Sequence, residues 1–289
     1  MATLSDVIND TIQGKGLAFV LGDASGHVSP DLQAHSAGEH IYSSEQIYAL
    51  LTGKSPGETG YSYTYGSNTP SKTGNFTIIN EGSSGKFKAA ASDTSIIIGS
   101  GGDDKIIGTT NASGQVIFGM DGNDTIIGRG TGPNFLSGND GGDTIKGGKG
   151  ADNIHGDAGN DTLKGNAGDD KIYGGTGNDN IDGGAGADLI NGSLGNDKLK
   201  GGAGADTFTF SANDGKQFDT IQDFGKGGAD KITLSDGLTI KSHAYDAALK
   251  GTVVTLSDNS KILLKGVTDA KYTDHITEKT DKTELDWHS

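Results

Sequence analysis

The chain of 289 residues contains no cysteine, which excludes disulfide frameworks, cysteine-ligated zinc sites and thiol nucleophiles. No apolar run approaches the roughly 20 residues that a membrane-spanning helix needs. The N-terminal stretch MATLSDVINDTIQGKG lacks the basic and apolar regions of a secretory signal peptide. These absences alone would indicate a soluble cytosolic protein.

Apolar residues and basic charge are also scarce. Hydrophobic side chains make up 32% of the chain, glycine accounts for 50 residues, and the formal net charge is −15. A chain so acidic and so poor in apolar residues lies near the boundary of intrinsic disorder. Folding therefore requires something to offset the acid repulsion, and a divalent cation is the obvious candidate. Because no basic stripe is visible, nucleic acid is not an expected partner.

What the sequence does contain is a repeat of nine residues. GGKGADNIH (147–155) and GDAGNDTLK (156–164) are two of eight contiguous copies that fill residues 138–209, and two more copies occupy 99–107 and 119–127. Glycine stands at the first and fourth positions of every copy, aspartate at the sixth and a large apolar residue at the eighth. A low-complexity linker would share this composition but not its phase, so the repeat indicates a solenoid.

Two side chains therefore recur once in each of the ten copies. The sixth-position aspartates are Asp104, Asp124, Asp143, Asp152, Asp161, Asp170, Asp179, Asp188, Asp197 and Asp206. The eighth-position apolar residues are Ile106, Ile126, Ile145, Ile154, Leu163, Ile172, Ile181, Ile190, Leu199 and Phe208.

The segments between the upstream copies resemble degraded repeats. Residues 108–118 keep an apolar Ile117 but lack the aspartate, and residues 128–137 keep Leu136 with Asn134 two positions before it. Both segments are longer than nine residues, and Pro133 restricts the second. We expect half-turns with an inserted loop and a damaged ion site.

The spacing has a chemical explanation. The seventh to ninth residues can form a very short strand whose central side chain faces inward, and the other six residues make a turn. Glycines in that turn permit positive φ angles and let carbonyl oxygens crowd one point. Calcium requires six to eight oxygens, so one turn with one carboxylate supplies half a shell and a second turn must supply the rest. Zinc fits less well, because the repeats offer almost no nitrogen or sulfur ligands.

The motif resembles G-G-x-G-x-D-x-U-x, the RTX (repeats-in-toxin) signature of secreted Gram-negative proteins, over residues 99–209. The resemblance implies an all-β fold, a calcium-loaded parallel β-roll in which consecutive repeats lie on opposite sheets. Calcium then lies between loops two repeats apart, so that Asp143, Asp161, Asp179 and Asp197 line one edge and Asp152, Asp170, Asp188 and Asp206 the other. The eight contiguous loops give about six full sites and the outlying copies one or two more, so six to eight Ca²⁺ ions are expected.

The candidate ligands are the residues at the first, third and sixth positions of the repeats. Besides the ten aspartates they are Gly138, Asp140, Gly147, Lys149, Gly156, Ala158, Gly165, Ala167, Gly174, Thr176, Gly183, Ala185, Gly192, Leu194, Gly201 and Ala203.

Residues 210–267 are predicted to form a β C-terminal cap. The stretch 208–237, with ADTFTF and DTIQDF, resembles the capping segment of serralysin proteases and alginate-epimerase calcium modules. Suitable residues to cover the last apolar layer of the solenoid are Phe208, Phe210, Phe218, Ile221 and Phe224.

Two aspartates of this cap, Asp219 and Asp223, are candidate ligands of a terminal calcium site, although such residues also cap turns. Residues 251–267 alternate and predict a hairpin around Asp258-Asn259. The polar tail, 268–289, fits the position of the type I secretion signal that the resemblance implies, but its DWHS end departs from the usual pattern.

Residues 1–98 are predicted to form a small α+β module of unknown role. We expect helices over 4–12 and 43–53, strands over 61–66 and 74–80, and the start of the roll's core at IIIG (96–99). The cluster His27, His35 and His40 with Asp23, Asp31 and Glu39 could hold a transition metal or be solvated in loops. Tyr61, Tyr63 and Tyr65 could stack on sugars or form a half-buried strand face.

The sequence therefore predicts a secreted, extracellular calcium-binding protein that folds after type I export. It would act without enzymatic activity at a cell surface, in a matrix or on a host. Its expected partners are calcium, the exporter, and a polysaccharide, a cell surface or a second copy; membrane contact is not expected. No H-E-x-x-H or G-x-S-x-G motif occurs. The alternatives are a polysaccharide- or lipid-modifying enzyme with its site in 1–98, and a membrane-active toxin.

Overall fold

Short β-strands joined by tight turns make up almost all of the structure. The computed structural model describes residues 76–78, 86–88, 96–99, 101–110, 114–268 and 276–278, which all belong to one compact unit. Within these ranges no helix is long and apolar enough to cross a membrane. The helices predicted over 4–12 and 43–53, the strand over 61–66, the histidine and tyrosine clusters and most of the tail lie outside the described residues.

The described residues form 21 strands and one 3₁₀ helix, Ala212–Asp214. The strands are β1 (Phe76–Ile78), β2 (Lys86–Lys88), β3 (Ile96–Ile98), β4 (Lys105–Ile107), β5 (Val116–Asp121), β6 (Thr125–Ile127), β7 (Phe135–Asp140), β8 (Thr144–Lys146), β9 (Asn153–Ala158), β10 (Thr162–Ala167), β11 (Lys171–Thr176), β12 (Asn180–Ala185), β13 (Leu189–Leu194), β14 (Lys198–Ala203), β15 (Thr207–Phe210), β16 (Phe218–Ile221), β17 (Lys231–Leu234), β18 (Ile240–Asp246), β19 (Gly251–Leu256), β20 (Lys261–Lys265) and β21 (Ile276–Glu278).

The strands alternate between two parallel sheets. Odd-numbered strands from β1 to β17 lie side by side in one sheet, and even-numbered strands from β2 to β16 lie side by side in the other. Each strand therefore pairs with the strand two places along the chain: Ile172 of β11 is in register with Ile154 of β9 and Ile190 of β13. Two repeats make one coil, and the predicted parallel β-roll is confirmed.

The core of the roll is one column of eighth-position side chains from each sheet. Ile145, Ile154, Leu163 and Ile172 are at most 1% exposed, as are the corresponding residues of the other copies. Because side chains alternate across a strand, each short strand can turn only this one residue inward. Ile97, in the IIIG segment predicted to start the core, belongs to the buried column, but the parallel pairing starts earlier, at β1 and β2.

Parallel coiling also continues beyond residue 209. Strand β16 pairs with β14, β17 with β15, β20 with β16 and β21 with β17, all parallel. Strands β18, β19 and β20 then close the sheet that contains β16 as an antiparallel meander. Within it, β19 and β20 form the hairpin predicted around Asp258-Asn259. The roll therefore ends in a region that shares its register.

Four of the five residues predicted to cover the end of the core are buried, but the core continues past them, because Ile232 lies in register with Phe208 and is itself buried. Phe208 and Phe224 are at most 1% exposed, and their ring centroids lie 6.2 Å apart. Phe218, in contrast, is 38% exposed. It lies three residues before the buried Ile221, where the chain is still entering the strand, so its side chain lies outside the column.

Candidate metal centre

The turns of the roll stack along two edges. The even edge consists of the loops that precede even-numbered strands: 119–124, 138–143, 156–161, 174–179 and 192–197. The odd edge consists of the loops 147–152, 165–170, 183–188 and 201–206, which precede odd-numbered strands. Since every loop holds its aspartate at the sixth position, the two edges bring together the two rows of aspartates that the resemblance implies.

Each sixth-position aspartate is tied to its neighbour along the edge. The backbone N–H of Asp143 donates to Oδ1 of Asp161 over 2.7 Å, and the N–H of Asp161 donates to Oδ1 of Asp179 over 2.8 Å. On the odd edge the N–H of Asp170 donates to Oδ1 of Asp188 over 2.9 Å. One oxygen of every carboxylate in these rows is thus fixed by the main chain two repeats earlier.

The second oxygen of most of these carboxylates is buried and has no hydrogen-bond partner among the described residues. This holds for the Oδ2 atoms of Asp124, Asp143, Asp161, Asp170, Asp179, Asp188, Asp197 and Asp206. Leaving a buried charged oxygen unpaired is costly, and native proteins avoid it. Eight such atoms in two rows indicate a missing positively charged partner for each.

A first-position glycine completes the surroundings of each oxygen. A Cβ built on Gly156 would lie 2.2 Å from Oδ2 of Asp161 and 2.5 Å from the carbonyl oxygen of Gly174. A side chain at this position would therefore fill a small space that only oxygens face. We call this arrangement of glycine, carboxylate oxygen and carbonyl oxygen an oxygen cage. With both oxygens within 3 Å it recurs at Gly119, Gly138, Gly147, Gly165, Gly174 and Gly183, but at Gly147 the carboxylate oxygen, Oδ2 of Asp152, already accepts a backbone N–H.

Burial and mutual repulsion act together on the carboxylates. Burial, together with the charge of a neighbouring aspartate, raises the pKa of Asp143, Asp161, Asp170 and Asp179 to about 7. At neutral pH these groups therefore require either a proton or a cation. Because the facing atoms are carboxylate and carbonyl oxygens, the cages fit a hard cation such as calcium.

Third-position residues contribute their main-chain carbonyl oxygens to the two edges. The carbonyl oxygens of Ala158, Thr176 and Leu194 each accept a backbone N–H from the fourth-position glycine two repeats earlier, over 2.7–2.8 Å. A carbonyl oxygen has two lone pairs, so this bond leaves capacity for an ion. The side chain is free to vary, which explains why the third position carries alanine, threonine and leucine.

The fifth position forms a second ladder that sequence reasoning missed. Oδ1 of Asn160 accepts the N–H of Asn178 over 2.7 Å, Oδ1 of Asn178 accepts the N–H of Asn196, and Oδ1 of Asn196 accepts the N–H of Phe218. These bonds run in the opposite sense to those of the carboxylates. In the sequence, the signal for this ladder is an asparagine or aspartate at the fifth position, immediately before the sixth-position aspartate, mainly in loops of the even edge.

Both rows of carboxylates continue into the C-terminal region. The N–H of Asp197 donates to Oδ1 of Asp219 over 2.8 Å, and the N–H of Asp206 donates to Oδ1 of Asp230 over 3.2 Å. Burial raises the pKa of Asp219 to about 8. Asp223 lies elsewhere: its two oxygens accept the backbone N–H groups of Gly201 and Gly202.

Asp230 was not among the predicted ligands, although the sequence contains a signal for it. GKGGADKIT (225–233) has glycine at the first and fourth positions, aspartate at the sixth and isoleucine at the eighth. It is a further copy of the repeat, separated from the others by residues 210–224. Asp219 lies in a less complete copy, in which Asp214 takes the place of the first glycine.

The fold and the site define a class of protein, a calcium-binding parallel β-roll. Comparison with protein families agrees, since the description of the matching family is the RTX calcium-binding nonapeptide repeat. Four copies match, over residues 109–131, 129–163, 155–190 and 182–215. Residues 109–215 are therefore RTX calcium-binding repeats. No curated protein matches the chain.

Proposed function

We propose that this protein is exported by a type I system and folds outside the cell around a row of calcium ions on each edge of the roll. There it would act without enzymatic activity at a cell surface, in a matrix or at a host interface. The observation that carries the proposal is the set of eight buried, unpartnered Asp Oδ2 atoms. Calcium would supply the positive charge that these carboxylates lack and would join each loop to the next along its edge.

Six ions would occupy the six oxygen cages whose carboxylate Oδ2 has no partner among the described residues. Four cages lie on the even edge, at Gly119, Gly138, Gly156 and Gly174, and two lie on the odd edge, at Gly165 and Gly183. The carboxylate oxygens are supplied by Asp124, Asp143, Asp161, Asp179, Asp170 and Asp188.

Two further ions would lie at the C-terminal end of the rows. Asp197 and Asp206 each have an unpartnered Oδ2, and the next carboxylates along the edges are Asp219 and Asp230. Asp219 is fully buried and its own Oδ2 has no partner among the described residues. The proposed total is thus eight.

Export before folding is consistent with the free-energy cost of folding the roll without calcium. RTX repeat proteins are generally exported by type I systems, and calcium is scarce in the cytosol and abundant outside. Without the ion, a core of one side chain per repeat must overcome both the conformational entropy of the chain and the repulsion of the carboxylates. The chain would therefore stay unfolded inside the cell and fold after export.

Native mass spectrometry of the full chain would test the calcium proposal. Samples equilibrated with calcium and with magnesium at the same concentration would be compared, with far-UV circular dichroism recorded on each. We expect about eight bound calcium ions and a β spectrum in calcium, and no comparable count in magnesium, which resists losing its water. A folded chain without calcium adducts would refute the proposal.

A further inference from the structure

We infer that the loop 147–152, GGKGAD, is a metal-free turn, although it matches the repeat motif at every fixed position. The inference rests on the proposed calcium binding of the neighbouring loops and concerns which loop is excluded from it. Asp152, Gly147 and Lys149, predicted as ligands, would then stabilise the roll through the protein alone.

The carboxylate of Asp152 already has a partner for each oxygen. Its Oδ1 accepts the backbone N–H and the side-chain Nδ2 of Asn134, both over 2.8 Å, and its Oδ2 accepts the backbone N–H of Gly148 over 2.5 Å. Asp152 is only 2% exposed, as buried as the other aspartates. What distinguishes it is that Oδ2, which has no partner among the described residues in the neighbouring aspartates, here accepts a protein N–H.

The backbone of the loop also departs from the others. In loop 156–161, Asp157 and Gly159 at the second and fourth positions have φ angles of 74° and 139°. The same left-handed conformation occurs at both positions of the loops that begin at Gly119, Gly138, Gly165, Gly174, Gly183, Gly192 and Gly201. Gly148 and Gly150, in the loop 147–152, do not adopt it. The carbonyl groups of this turn are therefore oriented differently from those of the cages.

The neighbouring loops explain the departure. The inserted loop 128–134 lies two repeats earlier on the same edge, and its Gly130 carbonyl accepts the N–H of Lys149 over 2.8 Å. On the other side, the carbonyl oxygen of Gly147 accepts Nδ2 of Asn166 over 2.7 Å. Side-chain amides of Asn134 and Asn166 thus hold Asp152 Oδ1 and the Gly147 carbonyl, so protein groups fix the turn on both sides.

Ions on the odd edge would therefore begin at Asp170, one coil (two repeats) later than the motif suggests. Replacement of Asp152 by asparagine removes a charge that binds no ion, whereas the same replacement at Asp170 removes a charge from an oxygen cage. The two residues lie on the same edge at adjacent levels, so they form a matched pair for comparison.

The test is native mass spectrometry of the full-length parent and of the Asp152→Asn and Asp170→Asn variants in saturating calcium. We expect the calcium count of D152N to equal that of the parent and the count of D170N to fall by at least one. Loss of an ion in D152N, to the extent seen in D170N, would overturn the inference. Absence of calcium from the parent would instead refute the proposed function.

A measurement on the unmodified chain covers the case in which D152N does not fold. The amide proton of Gly148, bonded to the Asp152 carboxylate, should give a strongly downfield NMR signal in saturating calcium. An ion on Asp152 Oδ2 would displace that bond, so a Gly148 signal that moves upfield as calcium is added would contradict the inference.

Discussion

The backbone N–H of Asp161 donates a 2.8 Å hydrogen bond to Oδ1 of Asp179, eighteen residues later in the chain. The same carboxylate keeps its Oδ2 buried and without a partner among the described residues. Oδ1 of Asp179 therefore fixes the register of the main chain, and Oδ2 is left for a ligand. A single aspartate thus combines a folding role with the proposed ligand role, and each role rests on a different oxygen.

Removal of calcium should unfold the roll. At pH 8 the carboxylates of Asp143, Asp161 and Asp179 would be ionised and unneutralised, and at tenfold excess over the dissociation constant each lost ion withdraws about 1.4 kcal/mol. We expect far-UV circular dichroism to show loss of β structure when a chelator is added at pH 8 and recovery when calcium is restored in millimolar excess. A spectrum that is the same in chelator and calcium would contradict this.

Acid should partly replace calcium. In the calcium-free roll the pKa of Asp143 and Asp170 is about 7, above the usual value near 4. Their protonation therefore contributes stability that is complete below about pH 4 and is lost as the pH rises through about 7. In chelator, far-UV circular dichroism should therefore show more β structure at pH 5 than at pH 8, and an equal loss of β structure at both pH values would contradict this.

With calcium present the dependence on pH should reverse, because protons compete with the ion for the same oxygens. Calcium affinity, measured by titration calorimetry, should fall as the pH drops below about 7. An affinity that stays constant between pH 8 and pH 5 would show that these carboxylates are not the ligands.

Filling one oxygen cage should damage both binding and stability. The methyl group of a Gly156→Ala variant would lie 2.2 Å from Oδ2 of Asp161, so the loop must shift and the ion must leave. Overpacking alone costs about 1–3 kcal/mol. Gly101→Ala is the matched control, since a Cβ there meets nothing within 4 Å. Calcium titrations followed by circular dichroism should shift for the first variant and not for the second.

Removal of a sixth-position aspartate charge should affect calcium binding and stability more than removal of an aspartate charge from the outward face of the roll. Asp179→Asn keeps the shape of the side chain and can still accept the Asp161 N–H, but it loses the charge between two loops. Asp182→Asn removes an equal charge from the outward face, where it contacts Lys164 and Lys200 in an exposed ion pair. We expect D179N to bind at least one ion fewer, and D182N to change stability by about 0.5 kcal/mol or less. Equal effects would exclude a special role for the sixth position.

The regular part of the roll could be predicted because each repeat determines its own structure. Ile154, Leu163 and Ile172 recur at a spacing that fits one inward residue per short strand, and the aspartates keep a fixed phase with them. Parallel pairing and the separation of odd and even rows follow from the length of the repeat. These features need no information from distant residues.

Other features depend on neighbours eighteen or more residues away. The loop 147–152, GGKGAD, has the same motif residues as the neighbouring repeats, so its sequence does not predict a different conformation. Its conformation changes because Asn134 and Gly130, in the inserted loop, form hydrogen bonds with it. An irregular segment separates the repeat that holds Asp230 from the others, so the contiguous pattern does not include this residue. Phe218 was assigned to the core from its composition, while its phase relative to Ile221 places it outside.

The asparagine ladder gives the roll a mechanical asymmetry. On the even edge Asn160, Asn178 and Asn196 add a second side-chain bond between successive coils, and that bond requires no ion. On the odd edge the fifth position is alanine in three of four loops, and Asp169 alone makes such a bond, to Ala187. The even edge should therefore resist extension more than the odd edge, and a pulled roll should bend so that its odd edge lies on the convex side.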